Sequence, residues 1–460
     1  MNRITIAEIQ AATGGRLLTG DPAAAVTAVS TDSRTAKAGE LFIPIIGEVH
    51  DAHKFLPMAY ENGCRAFLTA REEAAAGLAE ASVLLVEDTT KAMQKLAAWY
   101  LKKLGLKTVA VTGSVGKTST RDMVYNILRE TYVTGTTVGN FNNDIGVPQT
   151  IFTFDSSMEA AVLEIGMDHR YEIHRLVDII RPDIGIITNV GISHIENLGS
   201  REEILAAKLE ITDYFTEDHT LVVDQDNDML QAADLSGGYS VVRVGTHADS
   251  DYRVSGIADR GADGISWTLN AEGRDYRIEL PIPGAHNALN ATLAIAACQR
   301  LGVSIEQAAA GLFKLRLTGK RLTVREAGGM KIIDDTYNAA PDSMKSAIET
   351  LMHTEGSRKV AILGGMNELG ERSRQYHREI GAFAAGQKVD LLLTAGEKAD
   401  DIAAGAADAG GEIRVKHFDT REELAQVVCS LLREGDAVLV KASRAMEMEQ
   451  IVDKIMKEQE

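Results

Sequence analysis

Apolar residues along this chain alternate between short continuous runs and longer stretches with helical spacing. Residues 108–112 form a β-branched run suited to a buried strand, and Met123, Val124, Ile127 and Leu128 recur at helical spacing after it. Further apolar runs at 160–165, 184–190 and 221–223 are separated by helical patterns, which predicts a mostly parallel sheet with helices on its faces. Residues 240–283 differ. Short alternating segments such as 276–280, with Gly261 and Gly264 at turns, predict an antiparallel insert. From about Arg316 four new runs, at 331–334, 360–363, 390–393 and 437–440, predict a separate doubly wound domain. Before residue 84, the run 39–47 and the helical pattern 55–60 predict a small α/β unit.

The fold class that follows is α/β with three domains. Residues 1–84 make a small substrate domain. Residues 85–315 make a central parallel-sheet domain that carries a phosphate loop and the antiparallel insert, and residues 316–460 make a Rossmann-like domain. A length of 460 residues agrees with three domains of about 100–200 residues.

Composition narrows the classes. Charged residues are 25% and apolar ones 45%, and no run of about 18 apolar residues suits a membrane span. The first residues show no secretory apolar core, so a cytoplasmic protein is expected. A net charge of -18 argues against nucleic acid as a partner, because phosphodiester backbones are met by clustered lysine and arginine. Cys64, Cys298 and Cys429 are far apart and read as reduced, structural thiols. His50, Asp51 and His53 sit close together, but a polar loop is the commoner meaning of such a group, and no metal is expected there.

The turn between the strand at 108–112 and the following helix is Gly113-Ser-Val-Gly-Lys-Thr118. Gly113 and Gly116 allow a tight turn whose N–H groups point inward, and the helix offers its positive N-terminus to an anion. Lys117 would reach outer phosphates and the Thr118 hydroxyl would ligate magnesium, as in a P-loop. Val111 stands where the strict pattern has glycine.

The helical pattern at 200–214 opens with Ser200 and Glu203 spaced as a capping box. Ile204, Leu205, Leu209 and Ile211 form one arc with Lys208 in its middle, and Glu203 and Glu210 lie opposite. Lys208 therefore either snorkels to water or is needed inside. Glu164 ends an apolar strand, where a carboxylate is unfavourable without a cation or donors. His194 lies in the run 189–199 that leads into the helix. Thr118, Glu164 and His194 together could hold magnesium beside phosphates.

The loop Thr112-Gly-Ser-Val-Gly-Lys-Thr118, the strand end Glu164-Ile-Gly166, the run from Asn189 to Gly199 and Lys208 resemble the Mur ligases of peptidoglycan synthesis. The resemblance implies ATP at Gly113, Ser114, Val115, Gly116, Lys117, Thr118 and Ser119, with magnesium held by Thr118, Glu164, His194 and a carbamylated Lys208. Pro283-Gly-Ala-His-Asn-Ala-Leu-Asn290 resembles the family's adenine segment, which implies His286, Asn287 and Asn290 near ATP, although a polar helix cap explains these residues locally as well. Arg321 and Asp335 resemble phosphate and ribose contacts. The catalytic residues so implied are Lys117, Glu164, His194, Lys208 and Arg321.

Asp334-Asp-Thr-Tyr-Asn-Ala-Ala-Pro-Asp-Ser-Met344, Leu363-Gly-Gly-Met-Asn-Glu-Leu-Gly-Glu371 and Val440-Lys-Ala-Ser-Arg-Ala-Met446 resemble the family members that add D-alanyl-D-alanine. Gly139-Asn-Phe-Asn-Asn143 agrees with that resemblance. Gly365, Ala340 and Ala52 depart from the family pattern, which has aspartate, asparagine and glycine at the matching places. The implied substrates are UDP-MurNAc-tripeptide, held by Ser33, Arg34, Asn142 and Asn143, and D-Ala-D-Ala, held near Tyr337, Asn338 and Ser343. A monomer without membrane insertion is expected. The alternatives are a sibling or folylpolyglutamate synthetase-like ligase with another amine, and a nucleotide-binding subunit without ligase activity. The absence of a guanine-binding Asn-Lys-x-Asp motif weakens a P-loop switch reading.

Overall fold

The structure, a computed structural model, describes every residue except 48, 49, 79, 316–318, 320 and 460. The expected junction at Arg316 lies outside the described residues. The chain divides into two compact units. One comprises Met1–Ala110, Tyr132–Gly166 and Glu172–Asp183, and the other comprises Val111–Thr131, Met167–Tyr171 and Ile184–Glu460.

In the first unit the strands Arg16–Thr19, Ser82–Leu85, Ala66–Thr69, Glu40–Phe42 and Ala28–Ser30 lie side by side in that order. Only the outermost pair, Arg16–Thr19 with Ser82–Leu85, is antiparallel. Phe42 and Phe67 meet edge-on at 6.3 Å in a core with Leu56 and Val83. The helix Thr89–Leu104 begins where the Asp88 carboxylate accepts the Lys91 amide and ends at Gly105, whose φ of +65° suits glycine. The loop histidine His53 is tied on both sides. Nδ1 lies 2.7 Å from Asp51 Oδ1 and Nε2 accepts the Ala70 amide at 2.9 Å, within a short 3-10 turn, Ala52–Phe55, that Asp51 caps.

The second unit contains two sheets. In one, Ile184–Ile187, Thr220–Asp224, Ser240–Gly245 and Tyr252–Asp259 pair in parallel, and Ile265–Ala271 and Arg274–Leu280 then continue the sheet antiparallel. The expected antiparallel insert is therefore shorter than residues 240–283. The strand Ser240–Gly245 still belongs to the parallel series, because it pairs in parallel with Thr220–Asp224 on one side and Tyr252–Asp259 on the other, and pairing direction is fixed by the partner strands. In the other sheet the order is Thr323–Ala327, Met330–Asp335, Asp436–Lys441, Arg358–Gly364, Leu391–Ala395 and Arg414–Phe418. All its pairs but the first are parallel. Val360 and Ile362 point into one core, and Ala361 and Leu363 into another on the opposite face. Such strands must be apolar at every position, which is why they read as continuous runs.

The cysteines carry free thiols. Among the described residues no helix is long and apolar enough to cross a membrane.

Candidate active site

The site grows from the turn after the strand Lys107–Thr112. Gly113 takes a φ of +151°, and a Cβ there would fall 1.8 Å from Thr188 Oγ1, so only glycine lets the turn pack on the neighbouring strand end. Gly116 (φ +82°) caps the helix Lys117–Leu128. The segment after Ile184–Ile187 ties the loop down. Asn189 Oδ1 accepts the Val115 amide at 3.0 Å, Thr188 Oγ1 donates to the Val115 carbonyl at 2.6 Å, and the Gly191 amide donates to Ser114 Oγ at 2.9 Å. Lys117 Nζ donates to the Gly113 carbonyl at 2.8 Å, which folds the lysine over its own loop.

The loop faces a cavity of about 630 Å³ whose far wall comes from the C-terminal sheet. Asp335 and Lys441 sit at the same level of adjacent parallel strands, and Lys441 Nζ donates to Asp335 Oδ2 at 2.6 Å and to the Asn338 carbonyl at 2.8 Å. The Arg321 guanidinium stacks 4.0 Å from the centre of the Tyr337 ring, and among the described residues its buried Nε has no hydrogen-bond partner. His286 and Asn290 line the cavity beside Gly116. Burial lowers the His286 pKa against the opposing pull of Asp335 and Asp259. Asn287 lies behind them, donating to the Pro283 carbonyl at 2.7 Å. Ser343 Oγ accepts the Ala340 amide at 3.0 Å and so closes the first turn of the helix Pro341–His353.

His194 adopts a left-handed conformation (φ +64°) and brings Nδ1 within 3.0 Å of Asp168 and 2.8 Å of Glu368, itself left-handed at φ +63°. Burial disfavours the imidazolium, but the two carboxylates outweigh it and raise the His194 pKa. His194 in turn lowers both carboxyl pKa values. One donor atom from each of the three residues lies within 4.8 Å of the others, a spacing and donor set that suit a divalent cation.

Lys208 is 1% exposed, on the helix Arg201–Leu209 with Ile204 and Ala207 buried beside it, so it points inward rather than snorkelling. Burial, with the charge of Lys117 added, pushes its pKa well below the ordinary lysine value. One expectation about this helix fails. Ser200 Oγ accepts the Glu203 amide, but Glu203 leaves the capping box to pair with Arg170 at 2.8 Å. Glu210 is buried, and the same Arg170 reaches it at 3.0 Å.

The Mur ligase middle domain matches residues 111–298, and the Mur ligase glutamate ligase domain matches residues 320–444. The UDP-N-acetylmuramoyl-tripeptide--D-alanyl-D-alanine ligase of Bacillus subtilis is 41% identical over 92% of this chain and 92% of its own length. The chain belongs to the Mur ligase family. Among solved structures of Mur ligases, MurF from Acinetobacter baumannii superposes with a TM-score of 0.92 at 30% identity, covering 99% of each chain. MurF from Thermotoga maritima in complex with ADP superposes with a TM-score of 0.83 at 28% identity, over 94% of this chain and 97% of that one.

In this Mur ligase the cavity brings together the phosphate loop, His194, His286, Asn290, Arg321, Asp335, Asn338 and Ser343. Of the remaining predicted residues, Lys208, Asn287 and Tyr337 belong to the second unit, and Ser33, Arg34, Asn142, Asn143 and Glu164 to the first. There Asn142 Nδ2 donates to Glu164 Oε1 at 3.0 Å, Asn143 Oδ1 accepts the Gly146 amide at 2.9 Å, Ser33 is buried against Met58, and Arg34 is exposed and paired with Asp32 at 2.7 Å. Sequence reading missed Lys441, Asp168 and Glu368. It also missed Asp224, a cavity-lining carboxyl that burial pushes up to about 7. Lys441 had a usable signal, since it closes an apolar strand just as Glu164 does. Glu368 lies inside the motif at 363–371 but was not singled out there, and Asp168 had no signal, being a single acid in a loop.

Proposed function

We propose that this chain is an ATP-dependent amide ligase that joins D-Ala-D-Ala to UDP-MurNAc-tripeptide, giving UDP-MurNAc-pentapeptide, ADP and phosphate. The observation that carries the reading is near-full-length kinship with UDP-N-acetylmuramoyl-tripeptide--D-alanyl-D-alanine ligases. The facing of the phosphate loop and the segment 334–344 across one cavity supports it. The tripeptide carboxylate attacks the γ-phosphoryl group of ATP, and an acyl phosphate forms as ADP leaves. The dipeptide amine then adds to the acyl carbon and phosphate departs. Catalysis of this kind is mostly positioning and charge compensation.

The roles follow the site. Gly113 to Ser119 cradle the phosphates, Lys117 turns from its own loop to the outer phosphate, and Arg321 meets phosphate while stacked on Tyr337. His286, Asn287 and Asn290 serve the adenine end, and Asp335 the ribose. Ser33, Arg34, Asn142 and Asn143 serve the UDP-tripeptide, and Tyr337, Asn338 and Ser343 the dipeptide. Thr118, Glu164, His194 and carbamylated Lys208 would hold magnesium, and their oxygen and imidazole donors fit that ion. Magnesium when bound neutralises phosphate oxygens. A lysine held as neutral amine by burial is the form that adds to carbon dioxide, and the carbamate replaces a repulsive cation beside the metal with an anion. The domains divide at 1–84, 85–315 and 316–460, and the enzyme works as a cytoplasmic monomer.

A phosphate-release assay with ATP, magnesium and UDP-MurNAc-tripeptide tests the reading. D-Ala-D-Ala is expected to support turnover and single amino acids are not. Turnover with a single amino acid in place of the dipeptide would assign the chain to a sibling ligase.

A further inference from the structure

Glu164 ends the strand Ala160–Glu164 almost fully buried, and a separate turn, residues 141–146, reaches it. Asn142 of that turn grips the strand end at two points. Its Nδ2 donates to Glu164 Oε1 at 3.0 Å, and its backbone carbonyl accepts the Gly166 amide at 2.8 Å. A Cβ on Gly166 would come 3.1 Å from Asn142 Nδ2, closer than ordinary contact, so glycine there leaves room for the carboxamide. Just beyond the neighbouring strand Thr134–Thr136, Thr137 Oγ1 accepts the Glu164 amide at 2.9 Å and fixes its backbone. The turn that presents Asn142 is tied down as well. Asn143 Oδ1 accepts the Gly146 amide at 2.9 Å, and a Cβ on Gly146 would fall 2.5 Å from Phe141 Cα.

A buried carboxylate needs donors, and one amide hydrogen bond helps to meet that need whatever the group does. The clamp has a further consequence. A donor fixed on Oε1 sets the rotation of the carboxylate plane about its last bond, which is otherwise soft, and with it the direction of the lone pairs on Oε2. Carboxylates that ligate metals are oriented by outer partners of this kind. An ionised Glu164 only accepts, so the nitrogen of the Asn142 amide is the end that faces it. Among the described residues the Asn142 side chain makes no other hydrogen bond, so within the protein Glu164 is its one polar target.

We propose that Asn142 is a positioning residue for the metal: it orients the Glu164 carboxylate for a divalent cation, a role separate from the substrate contact assigned to it above. The inference rests on the ligase reading, in which Glu164 is a magnesium ligand.

Manganese, a paramagnetic stand-in for magnesium at oxygen ligands, provides the test. Its affinity for the full chain is measured by electron paramagnetic resonance titration with a non-hydrolysable ATP analogue present. Asn142→Leu keeps the side-chain shape without the donor, and Asn142→Ala keeps only the backbone clamp. Both are expected to weaken manganese binding about tenfold or more, in the direction of Glu164→Gln. In phosphate release the same variants should need more magnesium for half-maximal rate and recover kcat at saturating metal. Wild-type manganese affinity in both Asn142 variants, with Glu164→Gln still weakened, overturns the proposal and leaves the ligase reading standing. Loss of UDP-MurNAc-tripeptide binding with unchanged manganese affinity makes Asn142 a substrate contact only and overturns it too. Unaltered manganese binding in Glu164→Gln takes Glu164 away from the metal, and that part of the ligase reading falls together with the proposal.

Discussion

Two lysines of the second unit are almost fully buried, Lys441 at 2% exposure and Lys208 at 1%, and the fold treats them in opposite ways. Lys441 ends the strand Asp436–Lys441, and register places Asp335 beside it on Met330–Asp335, so the ammonium meets a carboxylate at 2.6 Å and a carbonyl at 2.8 Å. Lys208 sits on a helix among apolar neighbours, and among the described residues its ammonium has no hydrogen-bond or ion-pair partner. Burial and Lys117 drive it toward the neutral amine. The difference teaches that a buried lysine is either a structural cation fixed by a neighbouring strand or a reactive amine left without compensation, and that the partner decides which.

The largest effect is expected from Lys441→Met, which strands the Asp335 carboxylate. Loss of one member of such a pair costs about 3–5 kcal/mol, read as a lower midpoint in urea unfolding. Lys208→Met, an apolar replacement of similar length, removes an amine that burial leaves uncompensated and is expected to be at least as stable as wild type near neutral pH. If the two variants lose equal stability, the contrast between the lysines is wrong.

Next in size is activity. Lys208→Met is expected to lower phosphate release about a hundredfold, equivalent to about 2.7 kcal/mol of transition-state stabilisation. Removal of carbon dioxide and bicarbonate should slow wild type and leave the variant unchanged. Full wild-type rates after rigorous depletion would dismiss the carbamate.

The smallest effect is a pH dependence of stability. The folded pKa of Lys208 lies below the unfolded value of about 10.4, so between the two the unfolded chain binds one more proton. Stability conferred through this group therefore rises with pH across that window, by at most about 1.4 kcal/mol per unit, and is flat below the folded pKa. In buffers free of carbon dioxide, wild type should gain on Lys208→Met as the pH rises toward the unfolded value. A constant difference would mean that Lys208 keeps its proton.

Much of the site was legible because its parts are local. The glycines at 113 and 116, the lysine and threonine after them and the flanking strand and helix all lie within one turn of chain, and the geometry they demand is set by neighbours in sequence. Helical spacing put Lys208 in the middle of the apolar arc but left open whether it snorkels or points inward. The fate of Glu203 and Glu210 was not legible, because Arg170, which claims both, comes from a separate loop. The strand Ser240–Gly245 was misassigned because parallel or antiparallel pairing is fixed by its partner, not by its own residues.

The sequence by itself determined the α/β alternation, the phosphate loop and the family, since each rests on periodicity or on contiguous motifs. Only the tertiary structure decided which charges meet. Lys441 finds Asp335 across 106 residues, and His194 lies between Asp168 and Glu368. The physical reason is that strand order and loop docking set distances between charges, and Coulomb interaction and burial depend on those distances rather than on order along the chain.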